Sequence, residues 1–542
     1  MVDLTEIIFD FIVVGSGPSG VMCAQTLTEA GKKVLLLDAG ITAENNIEEP
    51  AGANFVDIRE TVRNQHEIFL GKNFERIEWG QLQAGAQVSA QRKFVTERVK
   101  NLIPVSSSSF FPVESLAKGG LGEAWGLGCC RFSDKELKKA GLDSGQMNNA
   151  YQVIADRIGI SYSADDIERY TMQGIKGLQP AIKTDDNAAL LLQRYRANEA
   201  YFRKHDFFMG IPALAMLTEN KGDRLSTQYN NMDFYANEGL SAYKPSITLN
   251  VLQRSNNFQL VSKILVTHFN EEDAYVQITG KHIDSNETYH FRAKKLLLAT
   301  NVLNTARIVL RSFEKFELPV PVLCNPYSYI TGLQLKRLGR VSAPSRTSTV
   351  QLSLFHDAGM QDSDIAMASL YTYSSLLLQQ LVKELPFNFK DGLFFMHYLV
   401  PAMVIAGVHH PDSKSDSKFV QLIKDGTTIT GDILQASYIQ GEEEKINICG
   451  REKLFCRALR KMGCLPLKKI QPDFGASVHY AGTLPFSDDE KILTTCSNGR
   501  LACTKNIFIA DGSGFNYLPA KGITFTLMAN AHVVALNALK NE

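Results

Sequence analysis

The segment DFIVVGSGPSGVMCAQTLTEAGKKVLLLDAG, residues 10–40, constrains the fold of this chain more than any other. An apolar run leads into a glycine turn, a helical pattern and a second apolar run. Gly15, Gly17 and Gly20 form G-x-G-x-x-G. In that spacing Gly15 permits the tight turn, Gly17 lets the backbone approach a pyrophosphate, and Gly20 lets the helix pack on the strand. The helix N-terminus offers N–H groups and a partial positive charge to phosphates. The second run, KVLLLD, ends on Asp38, whose carboxylate suits a ribose diol. Strand, glycines, helix, strand and acid occur in order, which predicts a Rossmann βαβ unit for a dinucleotide.

The unit alone does not separate FAD from NAD. Four features favour FAD: the N-terminal position, the L-L-D-A-G setting of Asp38, the strand end LLLATN near residue 300, and the C-terminal IFIADGS. NAD enzymes rarely bring their last seventy residues back to the cofactor.

Elsewhere the chain is ordinary in composition, with 44% hydrophobic and 21% charged residues. Its length of 542 residues allows about two to four folding units. A formal net charge of zero argues against a nucleic-acid binder, which needs clustered Lys and Arg. Lys461, Lys468 and Lys469 read as a solvated face. The first residues lack the basic region of a secretory signal. The nine cysteines form no C-x-x-C pair, so free thiols and a cytoplasmic location are expected.

Residues 133–240 read as largely helical, and from about Ser246 to Ile283 the pattern turns to β alternation. KKLLLATNVLNTARIVL predicts a second strand-then-helix unit, and the last 65 residues return to loop, strand and helix. The stretch GLFFMHYLVPAMVIAGV, residues 392–408, reads as a pair of buried strands broken at Pro401 rather than a membrane span. Leu377, Leu378, Leu381 and Leu385 predict an amphipathic helix over Ser374 to Leu385, read first as core.

With those segments in view, the chain resembles the glucose–methanol–choline (GMC) oxidoreductases, nearest their pyranose oxidase and sugar dehydrogenase branch. The matching stretches are the N-terminal unit, GGLGEAWGLGCCRF, LLLATN and HYAGT…NIFIADGS…TFTLMANA. The resemblance implies an α/β fold, α+β overall. A Rossmann-type FAD domain with a parallel sheet would take residues 1–45, 100–132, 241–320 and 471–542. A discontinuous substrate domain on an antiparallel sheet, with connecting elements, would take 46–99, 133–240 and 321–470.

It also implies roles for particular residues. Gly119 and Gly120 would lie along the flavin, Asp511 near its ribityl and pyrophosphate part, and Val261 beside the cofactor. Gly522 and Ile523 would bring a helix N-terminus toward flavin N1 and O2, which stabilises the anionic reduced ring. Pyranose oxidase carries a flavin-linked histidine where this sequence has Ala124, so FAD would be non-covalent. His479, in VHYAGT, matches the family's catalytic base. A neutral imidazole suits removal of a hydroxyl proton while hydride leaves to flavin N5.

Two departures stand out. Gly522 falls where the family places a second His or Asn, and Thr300–Asn301 falls where a glycine is common. Lys521, Asn516, His409 and His410 are the replacements considered. The expected function is oxidation of a CH–OH group of a polar, sugar-like small molecule, with O2 or another acceptor reoxidising FAD. The alternatives are a non-redox, isomerase-like use of FAD, or a flavin monooxygenase or reductase. No nucleic acid, metal or membrane contact is expected.

Overall fold

The computed structural model describes residues 7–43, 55–70, 90–229, 238–340, 349–372 and 386–540. The helix expected over Ser374 to Leu385 lies outside them.

Two large sheets organise the chain. In the first, the strands run in the order Phe258–Val261, Val34–Leu37, Ile8–Val14, Thr288–Leu298, Val276–His282 and Ile264–Glu271, and Ile507–Ile509 also pairs with Thr288–Leu298. The pairings around Ile8–Val14 are parallel, as is that of Ile507–Ile509. The strands Ile264–Glu271, Val276–His282 and Thr288–Leu298 form an antiparallel meander. A parallel sheet is covered on both faces, which is why its strands are apolar on both sides. Phe11, Val13, Leu36 and Leu297 enter one core, and Ile12, Val14, Leu35 and Leu298 the other.

Helix Pro18–Glu29 packs with the final helix Thr524–Lys540. Cys23 Sγ donates to the Ala531 carbonyl at 3.1 Å, and Thr26 Oγ1 meets His532 Nδ1 at 2.7 Å. The final helix is thereby bound to the helix that the glycine motif opens. Helix Val302–Ser312 packs against strand Ile264–Glu271.

The second sheet is antiparallel, in the order Cys464–Ile470, Tyr327–Gln334, Met403–His409, Ala366–Thr372, Leu352–His356 and Phe207–Gly210. Alternation along its strands separates two faces. Ile330, Leu354, Ala368, Val404, Ala406 and Val408 join a core with residues of helices Asp186–Arg196 and Glu442–Lys461. Tyr327, Tyr329, Ser353, Ser369, Tyr371 and His409 take the opposite parity and line a cavity.

The chain is thus a mixed α/β structure with a parallel N-terminal sheet and additional antiparallel sheets. Residues 392–408 correct the sequence reading: they hold most of helix Phe389–Leu399, a turn at Pro401 and strand Met403–His409, not two strands. The span read as β alternation also begins in helix Pro245–Leu252, with proline in its first turn. All nine cysteines are free thiols. Among the described residues no helix is long and apolar enough to cross a membrane.

Candidate active site

A cavity of about 420 Å³ lies between the glycine turn and the inner face of the second sheet. Gly15, Ser16, Gly17, Pro18, Ser19, Asp38, Gly120, Asp511, Gly522, Ile523 and His479 all line it.

The glycine turn is built for close approach. Gly15 has φ +99°, and a Cβ there would meet the Ala299 carbonyl oxygen at 2.6 Å. A Cβ on Gly20 would stand 1.8 Å from the Gly15 carbonyl oxygen, so helix and turn could not meet. Gly17 has nothing within 4 Å of its would-be Cβ, which leaves the cavity open at the helix start. Asp38 accepts the Ser16 N–H on Oδ2 and the Gly40 N–H on Oδ1, both at 2.6 Å. Burial pushes its carboxyl up to about 6, against the pull of Ser16 and Gly40.

Three sequence-derived positions support the site without lining it. Gly20 packs beneath the turn, and the Gly119 N–H donates to Ser16 Oγ at 2.8 Å. Val261 ends the strand beside Val34–Leu37, and its carbonyl accepts the Asp38 N–H at 3.0 Å. Asp511 is buried, accepting from Thr305 Oγ1 at 2.5 Å and Ser513 Oγ at 2.6 Å. Burial raises its carboxyl above the ordinary range despite those bonds.

At the other end of the cavity, the hydrogen bonds around His479 specify its tautomer. Its Nδ1 lies 3.0 Å from Asn325 Oδ1. The Asn325 amide is fixed from its other end, because Nδ2 donates to the carbonyls of His410 at 2.8 Å, Pro519 at 3.0 Å and Leu518 at 3.4 Å. With the nitrogen committed to three acceptors, Oδ1 must accept from His479. Nδ1 therefore carries the proton and Nε2 the lone pair. Burial lowers the imidazole to about 4, so it is neutral at pH 7. The preceding Val478 has φ 61°, an uncommon state for a β-branched residue and a form of strain found at functional sites.

His409 stacks on His479 with ring centroids 5.0 Å apart, and its ring also meets that of Tyr327 at 4.2 Å. Gly407 makes room for that aromatic wall, since a Cβ there would lie 2.2 Å from the Tyr327 hydroxyl. Burial holds His409 well below the usual histidine range, and the neighbouring His479 adds to this.

The replacements considered for a second partner separate clearly. His409 lines the cavity, whereas His410, Asn516 and Lys521 do not. Lys521 is ion-paired with Glu136 at 2.8 Å, and Asn516 binds Lys414 and the Phe486 carbonyl. Gly522 itself has little space, with the Gly128 carbonyl oxygen 3.1 Å from its would-be Cβ. Sequence reading missed Asn325 and the tyrosines. Asn325 lies 154 positions before His479, and its only local mark is the run CNPYSY.

Residues 13–43 match a family model described as an NAD(P)-binding Rossmann-like domain. The match covers the end of strand Ile8–Val14, the glycine turn, the helix, the second strand and Asp38. The chain carries a Rossmann-like dinucleotide-binding unit at its N-terminus, the mark of a dinucleotide-dependent oxidoreductase.

Proposed function

We propose that this chain binds FAD non-covalently and oxidises a CH–OH group of a polar, sugar-like substrate in the manner of the GMC oxidoreductases, with His479 as base. The observation that carries the reading is a neutral imidazole of fixed tautomer sharing one cavity with a dinucleotide turn. The residues fit the cofactor. Gly17, Gly126 and Gly128 line the cavity and have no atom within 4 Å of a would-be Cβ. Asp38 would hold the ribose, the turn at Gly15–Ser19 the pyrophosphate, and Asp511, Gly120 and Ile523 the flavin end. Six lining residues from Asp511 to Leu527 support FAD over NAD, because the chain's end returns to the site.

Flavin, when bound, supplies a two-electron hydride acceptor. His479 Nε2 takes the hydroxyl proton of the substrate as hydride leaves the adjacent carbon. Asn325 keeps that lone pair available by holding the proton on Nδ1. The first turn of helix Thr524–Lys540 places positive potential at the cavity wall, where it favours developing negative charge. The aromatic wall of Tyr327, Tyr329 and Tyr371 offers flat surfaces to a ring and hydroxyls to its polar edge.

We further propose the division into an FAD domain of residues 1–45, 100–132, 241–320 and 471–542 and a substrate domain from the remainder. Strand Phe207–Gly210 and five of the strands between Tyr327 and Ile470 support it by forming the second sheet. A reducing, cytoplasmic setting is supported by nine unpaired thiols.

The test is anaerobic mixing of the purified protein with a panel of alcohols and sugars. Bleaching of the flavin bands by a hydroxyl substrate is the expected result. Mild acid should release the flavin, because Ala124 offers no side chain for a covalent link. A protein that carries NAD(P) instead, or flavin that stays with the denatured pellet, overturns the cofactor assignment. A second reading, non-redox use of FAD, draws on Gly522, which supplies no second partner. Turnover of substrate without bleaching would select it.

A further inference from the structure

Helix Phe389–Leu399 presents Phe394, Phe395 and Tyr398 to solvent rather than to the core. It follows the N-cap Asn388, whose side chain accepts the Asp391 N–H, and it buries Gly392 and Met396. Met396 packs with Met403, Leu333, Leu399 and Val400, which anchors the helix to the second sheet. Leu393, Phe394, Phe395 and Tyr398 point outward, exposed by 41%, 62%, 43% and 47%. These rings touch one another. Phe387, itself exposed, stacks on Phe395 at 4.6 Å, Phe395 meets Phe394 at 6.0 Å, and Phe394 meets Tyr398 at 5.4 Å.

The patch continues onto the turn after strand Tyr327–Gln334. The Gly339 N–H donates to the Tyr398 carbonyl at 3.0 Å, and the Tyr398 ring lies 3.2 Å from where a Gly339 Cβ would stand. Leu335 and Leu338, on that turn, are also exposed. A contiguous run of exposed aromatics and leucines marks an interaction site, because single scattered apolar residues are the ordinary case.

The charges at the rim select the partner. Lys336, Arg340 and Lys390 are exposed around the patch. Of the acids nearby, Asp186 pairs with Arg337 at 3.3 Å, while Asp391, hydrogen-bonded to the neutral Asn388 Nδ2 at 2.6 Å, keeps its charge and is outnumbered by Lys336, Arg340 and Lys390. Aromatic and leucine side chains framed by cations form the amphipathic pattern that enters an anionic lipid interface. The helix has 11 residues, too few to span a bilayer, so it would lie in the interface plane.

We propose that this face, helix Phe389–Leu399 with the turn at Leu335–Arg340, docks the protein peripherally on anionic membrane surfaces. It reverses the expectation of no membrane contact drawn from the sequence. Strand Met403–His409 runs from the patch to the cavity, which sets the site about 20 Å from the lipid. The proposal does not depend on the identity of the cofactor or of the substrate.

Sedimentation with sucrose-loaded vesicles tests it, using phosphatidylcholine mixed with phosphatidylglycerol against phosphatidylcholine alone. The wild-type protein should pellet with the mixed vesicles, less with the neutral ones, and less at high salt. Phe394→Ser with Phe395→Ser should lower the partition coefficient about tenfold or more on both vesicle types. Lys336→Glu with Lys390→Glu should lower it on anionic vesicles only. Ile446→Ser, at an exposed position on helix Glu442–Lys461, should leave it unchanged. Unaltered melting temperatures show that the variants fold, as expected for exposed positions. Wild-type protein that stays in the supernatant with both vesicle types overturns the proposal. So does a lipid-free dimer that Phe394→Ser with Phe395→Ser dissolves, since the patch would then face a second copy of the chain.

Discussion

Replacing His479 by alanine isolates the proton step. A positioned general base contributes about a hundred- to ten-thousandfold, or roughly 3–5 kcal/mol of barrier. The loss should fall on the rate of flavin reduction, because the hydroxyl proton moves only then. His409 borders the vacated space, yet burial holds it well below the usual histidine range too, so it rescues little. The variant should also fold. Asn325 Oδ1 loses its partner, at a cost of about 1–3 kcal/mol, while Nδ2 keeps its carbonyls. Anaerobic stopped-flow on cofactor-replete protein gives the reductive rate directly. Asn325→Ala supplies the second arm of a double-mutant cycle. If Asn325 acts through His479, it slows the native enzyme but adds no slowing to His479→Ala. A reduction rate for His479→Ala within a few-fold of the native rate would refute the reasoning.

Asp38→Asn should weaken cofactor binding about ten- to a hundredfold, measured by titration of the apoprotein, because an amide cannot accept both the Ser16 and Gly40 N–H groups and lacks the charge. Glu114→Ala should destabilise the fold by about 3–5 kcal/mol in urea unfolding. It strands the buried Arg307 guanidinium, which Glu114 now binds at 2.7 and 3.0 Å. Stability should fall on balance as pH drops from 6.5 toward 4, because His479 and His532 are held neutral to about 4 and His410 to about 3 in the fold, whereas the unfolded chain binds protons sooner; Asp38, held up to about 6, and Asp511 take protons earlier in the fold and offset part of this loss. A urea midpoint unchanged over that interval would contradict these burials.

The parts of the site legible in the sequence are those whose chemistry is local. Gly15, Gly17, Gly20 and Asp38 lie within one βαβ unit, where spacing alone fixes the geometry. The second strand-helix unit was legible for the same reason, being a buried apolar run followed by a capped helix, Thr288–Leu298 then Val302–Ser312. The tautomer lock was not, because it joins Asn325 to His479 through a loop that also gathers carbonyls from His410, Leu518 and Pro519. No period or spacing encodes such a contact. Residues 392–399 misled for a different reason. Consecutive aromatics normally signal a buried strand, but here Phe394 and Phe395 are exposed on a helix. An exposed aromatic face looks like core when only composition is read.

His409 poses the remaining question of the second partner, and substitution by phenylalanine answers it. Gly522 cannot carry a side chain without moving the Gly128 carbonyl, so the final helix is closed to that role. Strand Met403–His409 instead delivers an imidazole to the same histidine from the opposite sheet. Among the described residues the buried Nδ1 of His409 meets no hydrogen-bond partner, a state that costs about 1–3 kcal/mol wherever no bound molecule satisfies it. A ring that served only as a wall would be better as phenylalanine, which keeps the stack and removes the stranded nitrogen. His409→Phe should therefore melt at or above the native temperature. If the imidazole also handles the substrate hydroxyl beside His479, the same variant should slow flavin reduction about tenfold or more. Higher stability with an unchanged reductive rate would assign His409 to packing and leave His479 as the sole base.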